Sequence, residues 1–394
     1  MAPSTDILEP TWWQQDPQAD YRELLRYDGL WRDERSGYWL AARHADVLAV
    51  ERDPVTFASR ADGGGAYRLN PSPGEETMIS KDDPDHLAQR RIVNRRFTPK
   101  AVRGHTEHYT AMIADLVDRA ANEVSTSGSV EVIDALAAQL PCRVTAEFLG
   151  FGQDLWREVK SWSERQMRID SAGPDPESFT PFLESIQEWA AVMQEVLPAR
   201  VEEPADDLFS DWLAAGMDGN TMVMETGLLI AGGAETTRTV IAHGLRTLCD
   251  RPEVWEQLAD DPTLIPGAVE ELIRWVTPLN NMFRIATTDA TVAGSAIGAG
   301  DRVALVYPAA NRDPAVFDRA DEFDIGRDPN PHVSFGHGNH FCLGANLARI
   351  ELRILLEQLT QRATNLRVVS EPDVEPNIFA RAVRSFDLSW DARN

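Results

Sequence analysis

Cys342 stands in Phe335-Gly336-His337-Gly338-Asn339-His340-Phe341-Cys342-Leu343-Gly344, directly ahead of an amphipathic helical run. A cysteine at a helix start meets the positive end of the helix dipole and free backbone N–H groups, both of which favour thiolate over thiol. Gly336, Gly338 and Gly344 allow the backbone to pass close to something flat or bulky. The plain alternative is a cysteine packed as a small hydrophobe in a glycine-rich turn. Zinc is disfavoured although His332, His337 and His340 are near, since no second cysteine or paired ligand stands at zinc-site spacing.

A second stretch, Gly232-Gly233-Ala234-Glu235-Thr236-Thr237, falls in the middle of the longest helical pattern. From Thr226 to Ala234 that pattern is uncharged and nearly apolar all round, as in a helix running through the protein centre. Two glycines there cost ~2 kcal/mol of helix propensity, and a buried carboxylate costs more unless paired or wetted. Either the helix opens locally around a ligand and water, or it crosses another helix closely with Glu235 paired to an arginine. Third, Glu271 and Arg274 stand three apart on one predicted helix face and can form an ion pair.

Helices must carry most of these groups. Apolar residues recur at three- and four-residue steps over 45–50, 106–121, 132–149, 184–197, 221–248, 252–258, 265–275 and 345–359. Strand-like runs are short: 38–41, 291–297 with Gly294 inside it, and 303–307. Residues 59–84, with Gly63-Gly64-Gly65, and 170–180, with Pro174 and Pro176, read as long surface loops of the lid or binding kind. No internal repeat or linker divides the chain, which points to one mainly α domain over 1–394 with a minor β portion.

The formal net charge of −25 argues against nucleic acid and anionic membrane as partners. Cys142, Cys249 and Cys342, far apart and odd in number, suit a reducing cytoplasm and no disulfide framework. No leader is apparent at the N-terminus, and the longest uncharged apolar stretch is about half of the ~18–20 residues that a membrane anchor needs.

Taken together and in this order, the three stretches resemble the cytochrome P450 family of haem-thiolate monooxygenases, from about residue 21 to 394. Phe335, Gly338, Cys342 and Gly344 match its Phe-x-x-Gly-x-x-x-Cys-x-Gly motif, Gly232 to Thr236 its oxygen-activating helix motif, and Glu271 and Arg274 its Glu-x-x-Arg pair. The resemblance implies the P450 fold, with a long central helix and the cysteine loop enclosing haem b. Cys342 is then the axial iron ligand, flanked by Phe335 and Gly344, and Glu235 with Thr236 is the acid–alcohol pair that delivers protons. Glu271, Arg274 and Arg327 form a structural network. His86, Arg90, Arg284 and His340 contact the haem carboxylates.

The same resemblance implies electrons from NAD(P)H through a separate ferredoxin or flavodoxin and its reductase, because the chain has no flavin or iron–sulfur module of its own. Between Lys81 and Arg103 the local balance is seven basic residues (Lys81, Arg90, Arg91, Arg95, Arg96, Lys100, Arg103) against three acidic ones (Asp82, Asp83, Asp85). That segment borders the family's docking face for acidic redox proteins, and charge would steer the encounter. The alternative is a solvated basic helix whose inner arginines serve haem. Met78, Ile79, Leu229, Ala231, Leu279, Asn280 and Phe379 fall at substrate-pocket positions, mostly apolar. Met224-Glu-Thr226 and Asn281-Met282 look like actinobacterial members that oxidise sterol side chains, so a sterol or other lipophilic substrate is expected. Natural-product tailoring, including hydroxylation of an amino acid on a carrier protein, is the second expectation, and a non-catalytic haem-binding protein on the same fold the third.

Overall fold

The computed structural model describes residues 6–61, 64–70, 76–172 and 176–393. Helix accounts for 57% of the chain with a minor sheet portion, so the expected mainly α class holds.

A 31-residue central helix, Gly219–Cys249, organises the molecule. Asp218 caps it, its carboxylate accepting from the Thr221 N–H at 3.0 Å, and satisfies donors that a helix start leaves orphaned. Helices Gln139–Leu149, Trp156–Met167, Thr180–Glu202 and Ile265–Val276 pack around it. The helix after the cysteine, Ala345–Thr360, lies against Thr106–Ser127 and Ile265–Val276. Their apolar faces form one large core containing Trp162, Trp189, Trp212 and Trp255. No helix among the described residues is long and apolar enough to cross a membrane.

Beside the helices lies a five-stranded sheet in the order Trp31–Arg32, Trp39–Ala41, Arg302–Leu305, Met282–Ala286, Phe57–Ala58. Arg302–Leu305 runs parallel to Trp39–Ala41, with Val303 opposite Trp39, and antiparallel to Met282–Ala286, with Ala304 opposite Phe283. That register puts Arg284 on a central strand. A second sheet joins Val130–Glu131, Asp387–Ala392 and Ala363–Val368.

Several expected elements differ in detail. The run 291–297 is a hairpin, Ala290–Val292 with Ser295–Ile297, because Ala293 (φ 47°) and Gly294 (φ 82°) take left-handed conformations that reverse the chain. The strand expected over 303–307 stops at Leu305, and Tyr307–Ala310 is a helical turn with Pro308 in its first turn. The helix expected over 132–149 begins as a π-turn, Ile133–Ala137. Inside the expected loop 59–84, Met78–Ser80 forms a 3₁₀ turn ahead of helix Asp85–Asn94. Gly63 and Pro174 lie outside the described residues.

Candidate active site

A cavity of about 1600 Å³, counting its open mouth, separates the central helix from the cysteine loop. Cys342 and Gly344 line one wall, Gly232, Gly233 and Thr236 another, and His86, Arg90, Arg284 and His340 the remainder. The sequence-predicted cysteine, alcohol and haem-carboxylate partners therefore converge on one space.

The cysteine loop is held by its own backbone and by a neighbouring helix. The Cys342 N–H donates to the Phe335 carbonyl at 2.9 Å. Gly336 and Gly338 have φ of 65° and 71°, and a Cβ on Gly338 would stand 2.5 Å from the Glu51 carbonyl oxygen. Those two glycines serve close backbone packing against helix His44–Glu51. Only Gly344 has open space where its Cβ would be, so it alone meets the expectation of room for a flat group.

Burial pushes the Cys342 thiol up, while the Gly344 N–H, Arg90, Arg349 and the Ala345 N–H pull it down. The expected thiolate preference is thus present but outweighed until a cation lies against the sulfur. No three His, Cys, Asp or Glu side chains converge as a metal site among the described residues. A metal held by Cys342 must bring its other ligands with it, and the iron of a flat macrocycle does so. The residues present fit haem b.

The rim supplies hydrogen-bond donors, and Arg90 and Arg284 its positive charge. His86 is buried, its Nδ1 2.9 Å from Asp83 Oδ1, while its Nε2 has no partner. The His340 ring lies 4.3 Å from that of His86, centroid to centroid, and burial together with Arg284 pushes its pKa down to about 2. Arg284 donates through Nη1 to the Phe283 carbonyl at 2.8 Å and keeps Nη2 3.9 Å from Glu51 Oε1. Arg90 donates to the carbonyls of Asn339 (3.0 Å) and Phe341 (2.5 Å), so it also clamps the cysteine loop. Sequence reasoning missed Glu51 and Tyr307 here. The Tyr307 hydroxyl donates to Glu51 Oε1 at 2.7 Å. Burial, opposed by Arg284 and Tyr307, pushes the Glu51 carboxyl up to about 7. Nothing in the pattern of helix His44–Glu51 distinguishes this carboxylate from an ordinary surface one.

On the central helix the two expected partners part company. Thr236 lines the cavity and donates back to the Gly232 carbonyl at 2.8 Å. Glu235 is buried on another flank, with Oε2 3.2 Å from Arg238 Nη1 and Oε1 unpartnered. Arg238 also reaches Glu164 at 2.7 Å. Burial, opposed by Arg238, raises the Glu235 pKa. The helix runs unbroken through both glycines, so the expected local opening is absent. A Cβ on Gly233 would stand 2.6 Å from Thr145 Oγ1. Close helix crossing with Glu235 paired to an arginine is therefore what the sequence encodes there.

Glu271 and Arg274 form a bidentate pair at 2.7 Å for both contacts, fully buried. Arg327 Nε adds a contact to Glu271 at 3.2 Å, and Asn330 and the Asp324 N–H satisfy the same carboxylate. Arg274 spends its other N–H groups on the carbonyls of Asn311, Ala320 and Glu322. This network ties the loop 311–330 to its helix.

Met78, Ile79, Leu229 and Leu279 line the main cavity, and Ala231 and Phe379 line an adjoining pocket that shares Ile79 and Leu279 with it. Asn280 is a correction. It is buried and donates to the Asn377 and Ile378 carbonyls at 3.0 and 3.2 Å, bracing the loop that carries Phe379 rather than facing a ligand. The adjoining pocket also holds an unexpected charge. Arg68 contacts Asp170 at 3.1 Å and lies 4.9 Å above the Phe379 ring.

Of the basic segment, Arg96 is committed to Asp206 and Asp211 and is structural, and Arg95 also pairs with Asp211. Arg91, Lys100 and Arg103 remain exposed.

The family model for cytochrome P450 matches residues 210–381. The chain is 34% identical over 381 residues to a steroid C26-monooxygenase of Mycobacterium tuberculosis, covering 95% of this chain and 93% of the relative. It is 31% identical over 383 residues to linalool 8-monooxygenase of Pseudomonas putida, covering 91% of each. The solved structure of CalO2 superposes with a TM-score of 0.88 at 28% identity, covering 99% of both chains. P450BioI, solved with an acyl carrier protein bearing hexadec-9Z-enoic acid, superposes with a TM-score of 0.86 at 26% identity over 96% of this chain and all of that one. A half-buried cysteine ahead of a helix, facing a threonine across a space rimmed by arginine and histidine, accompanies likeness to named monooxygenases over most of the chain, and the chain belongs to the cytochrome P450 family of haem-thiolate monooxygenases.

Proposed function

We propose that this monooxygenase hydroxylates an unactivated C–H bond of a sterol or steroid-like substrate, with Cys342 as the axial haem ligand. One oxygen atom of O2 enters the substrate and the other leaves as water, using two electrons and two protons per turnover. The electrons come from NAD(P)H through a ferredoxin or flavodoxin and its reductase. Bound haem b supplies the oxygen-activating iron, and thiolate ligation favours cleavage of the O–O bond.

The observation that carries this reading is the single cavity in which Cys342 and Thr236 line different walls while four basic side chains gather at its rim. His86, Arg284 and His340 offer donors to the haem carboxylates, and Arg90 steadies the loop that presents Cys342. Thr236 holds a hydroxyl at the cavity wall, where it can order a water and pass a proton. Glu235 joins that route only by turning away from Arg238, and Arg238 keeps its other carboxylate partner, Glu164, when it does. Leu229, Leu279, Met78 and Phe379 exclude water and orient an apolar body by shape. The steroid preference draws on this apolar lining and on the named activity of the actinobacterial relatives.

The test begins with the haem-loaded protein. A thiolate-type ferrous–CO spectrum is expected, and an imidazole-type spectrum or no haem uptake overturns the ligand assignment. Titration with free sterols, followed by turnover with a surrogate ferredoxin and reductase, is expected to give a spin-state shift and a hydroxylated product. Hydroxylation only of carrier-bound acyl or aminoacyl groups, with no response to free sterols, overturns the steroid reading and leaves the monooxygenase assignment intact.

A further inference from the structure

Five arginines are buried among the described residues: Arg68, Arg238, Arg274, Arg284 and Arg312. Four of them have a carboxylate within 4 Å. Arg312 alone has no ion-pair partner there. Its Nε donates to Gln18 Oε1 and its Nη2 to the Trp275 carbonyl, each at 3.2 Å. Its guanidinium lies 3.9 Å from the Trp275 ring centroid. Nη1 is buried with no partner. An uncompensated buried guanidinium is expensive unless a counter-charge reaches it.

Arg312 lines a second cavity that shares no residue with the active-site cavity and encloses about 590 Å³, counted with its mouth. The other charged walls nearly cancel. Asp16 pairs with Arg381 at 2.9 Å, and Asp321 lies 3.7 Å from Arg22. His243 donates through Nε2 to the Arg381 carbonyl at 3.0 Å. Burial and the neighbouring Arg381 push its pKa down to about 4, so the ring is neutral. Three cations thus face two carboxylates, and one positive charge is left over at Arg312.

We propose that this cavity binds a compact monoanionic oxyanion, a carboxylate or phosphate, anchored by Arg312 Nη1. The guanidinium fork matches paired oxygens better than a spherical halide. One negative charge closes the balance of the cavity. The occupant lies where helix Gln18–Arg26, the end of the central helix and the end of Ile265–Val276 meet, so it braces that junction. Binding only the folded chain, it raises stability by mass action.

The haem-loaded protein is titrated with sodium phosphate, sodium acetate or sodium chloride at matched ionic strength in a zwitterionic buffer at pH 7. Melting temperature and calorimetric heat are followed. A saturable rise with phosphate, acetate or both, beyond that of chloride, is expected. Phosphate alone identifies a phosphate site, and both anions identify a general oxyanion site. Arg312→Gln is expected to weaken binding by about tenfold or more, as for loss of a charge-assisted hydrogen bond. Arg22→Gln, at a half-exposed position, weakens it less and serves if Arg312→Gln fails to fold. No saturable response beyond chloride in the wild-type protein, or unaltered binding in the variants, overturns the proposal.

Discussion

Changing Thr236 to alanine separates proton delivery from every other duty of the central helix. The Thr236 hydroxyl makes one hydrogen bond to protein, back to the Gly232 carbonyl at 2.8 Å. Such i−4 bonds contribute little to a helix and tend to bend it. Stability should therefore change by about 1 kcal/mol at most, and haem content and the ferrous–CO band should be unaltered. Coupling responds differently. Losing a positioned acid–base group typically costs 10²–10⁴-fold, but Thr237 also lines the cavity and can partly replace the hydroxyl. A fall in product per NAD(P)H towards the lower end of that range, about 10²-fold at most, is expected, with the missing electrons recovered as hydrogen peroxide. Glu235→Gln should uncouple as well while the protein still folds, since Arg238 retains Glu164 at 2.7 Å. The assay is the ratio of hydroxylated product to NAD(P)H consumed, with peroxide measured in parallel. An unchanged ratio in both variants would remove these residues from the proton route and leave Glu235 as a structural ion-pair partner of Arg238.

Cys342→Ser should abolish the thiolate-type CO band and all monooxygenation. Cys142→Ala and Cys249→Ala should keep both, because burial alone dominates those thiols and pushes them up, Cys249 to about 12. Charge reversal at exposed Arg91, Lys100 and Arg103 should slow reduction by an acidic ferredoxin most at low salt, since screening over ~10 Å at 0.1 M masks steering, and should spare peroxide-driven turnover. Reversal at Arg96 should instead lower the melting temperature, as it sets a carboxylate against Asp206 and Asp211. Glu351 is buried without a counter-charge, which pushes its carboxyl from 4.5 up to about 8. Because the folded form binds the proton more tightly, wild-type stability should fall as pH rises from 4.5 to about 8. The Glu351→Gln protein should gain melting temperature relative to wild type across that window and hold a constant lead above it. A lead independent of pH would mean that Glu351 is ionised throughout.

The helices were legible because each buries one stripe against the core, and the three- and four-residue steps report that stripe directly. Strands were legible where a short apolar run is bounded by turn or charged residues, as at Trp39–Ala41 and Arg302–Leu305. Met282–Ala286 buries successive residues on both faces of the sheet, which leaves no period of two to read. Ala363–Val368 fails for another reason. Its pairing with Asp387–Ala392 slips between Thr364 and Arg367, and Asn365 takes φ 52°. Ala363, Leu366 and Val368 consequently fall out of step. An irregularity of this kind depends on the partner strand, and single-strand periodicity carries no trace of it.

The site divides along a similar line. His86 and Arg284 were placed by the family resemblance, whereas Cys342, Gly344 and Glu271 with Arg274 act through local sequence: a turn before a helix and a pair three apart. Their neighbours sufficed to locate them. The contacts of Glu235 and Asn280 were not legible because their environment is tertiary. A glycine pair in a helix can mean a ligand alongside or another helix crossing closely, and only Thr145, more than eighty residues earlier, decides for Gly233. Once that crossing exists, the flank carrying Glu235 is covered, and its charge can persist only beside a guanidinium. Arg238, three residues on and on the same face, supplies it. Thr236, on the face that the crossing leaves open, is free to meet the cavity. Adjacent residues thus acquire opposite environments from a single helix contact. The hydroxyl faces the cavity, and the neighbouring carboxylate stands in an ion pair with Arg238.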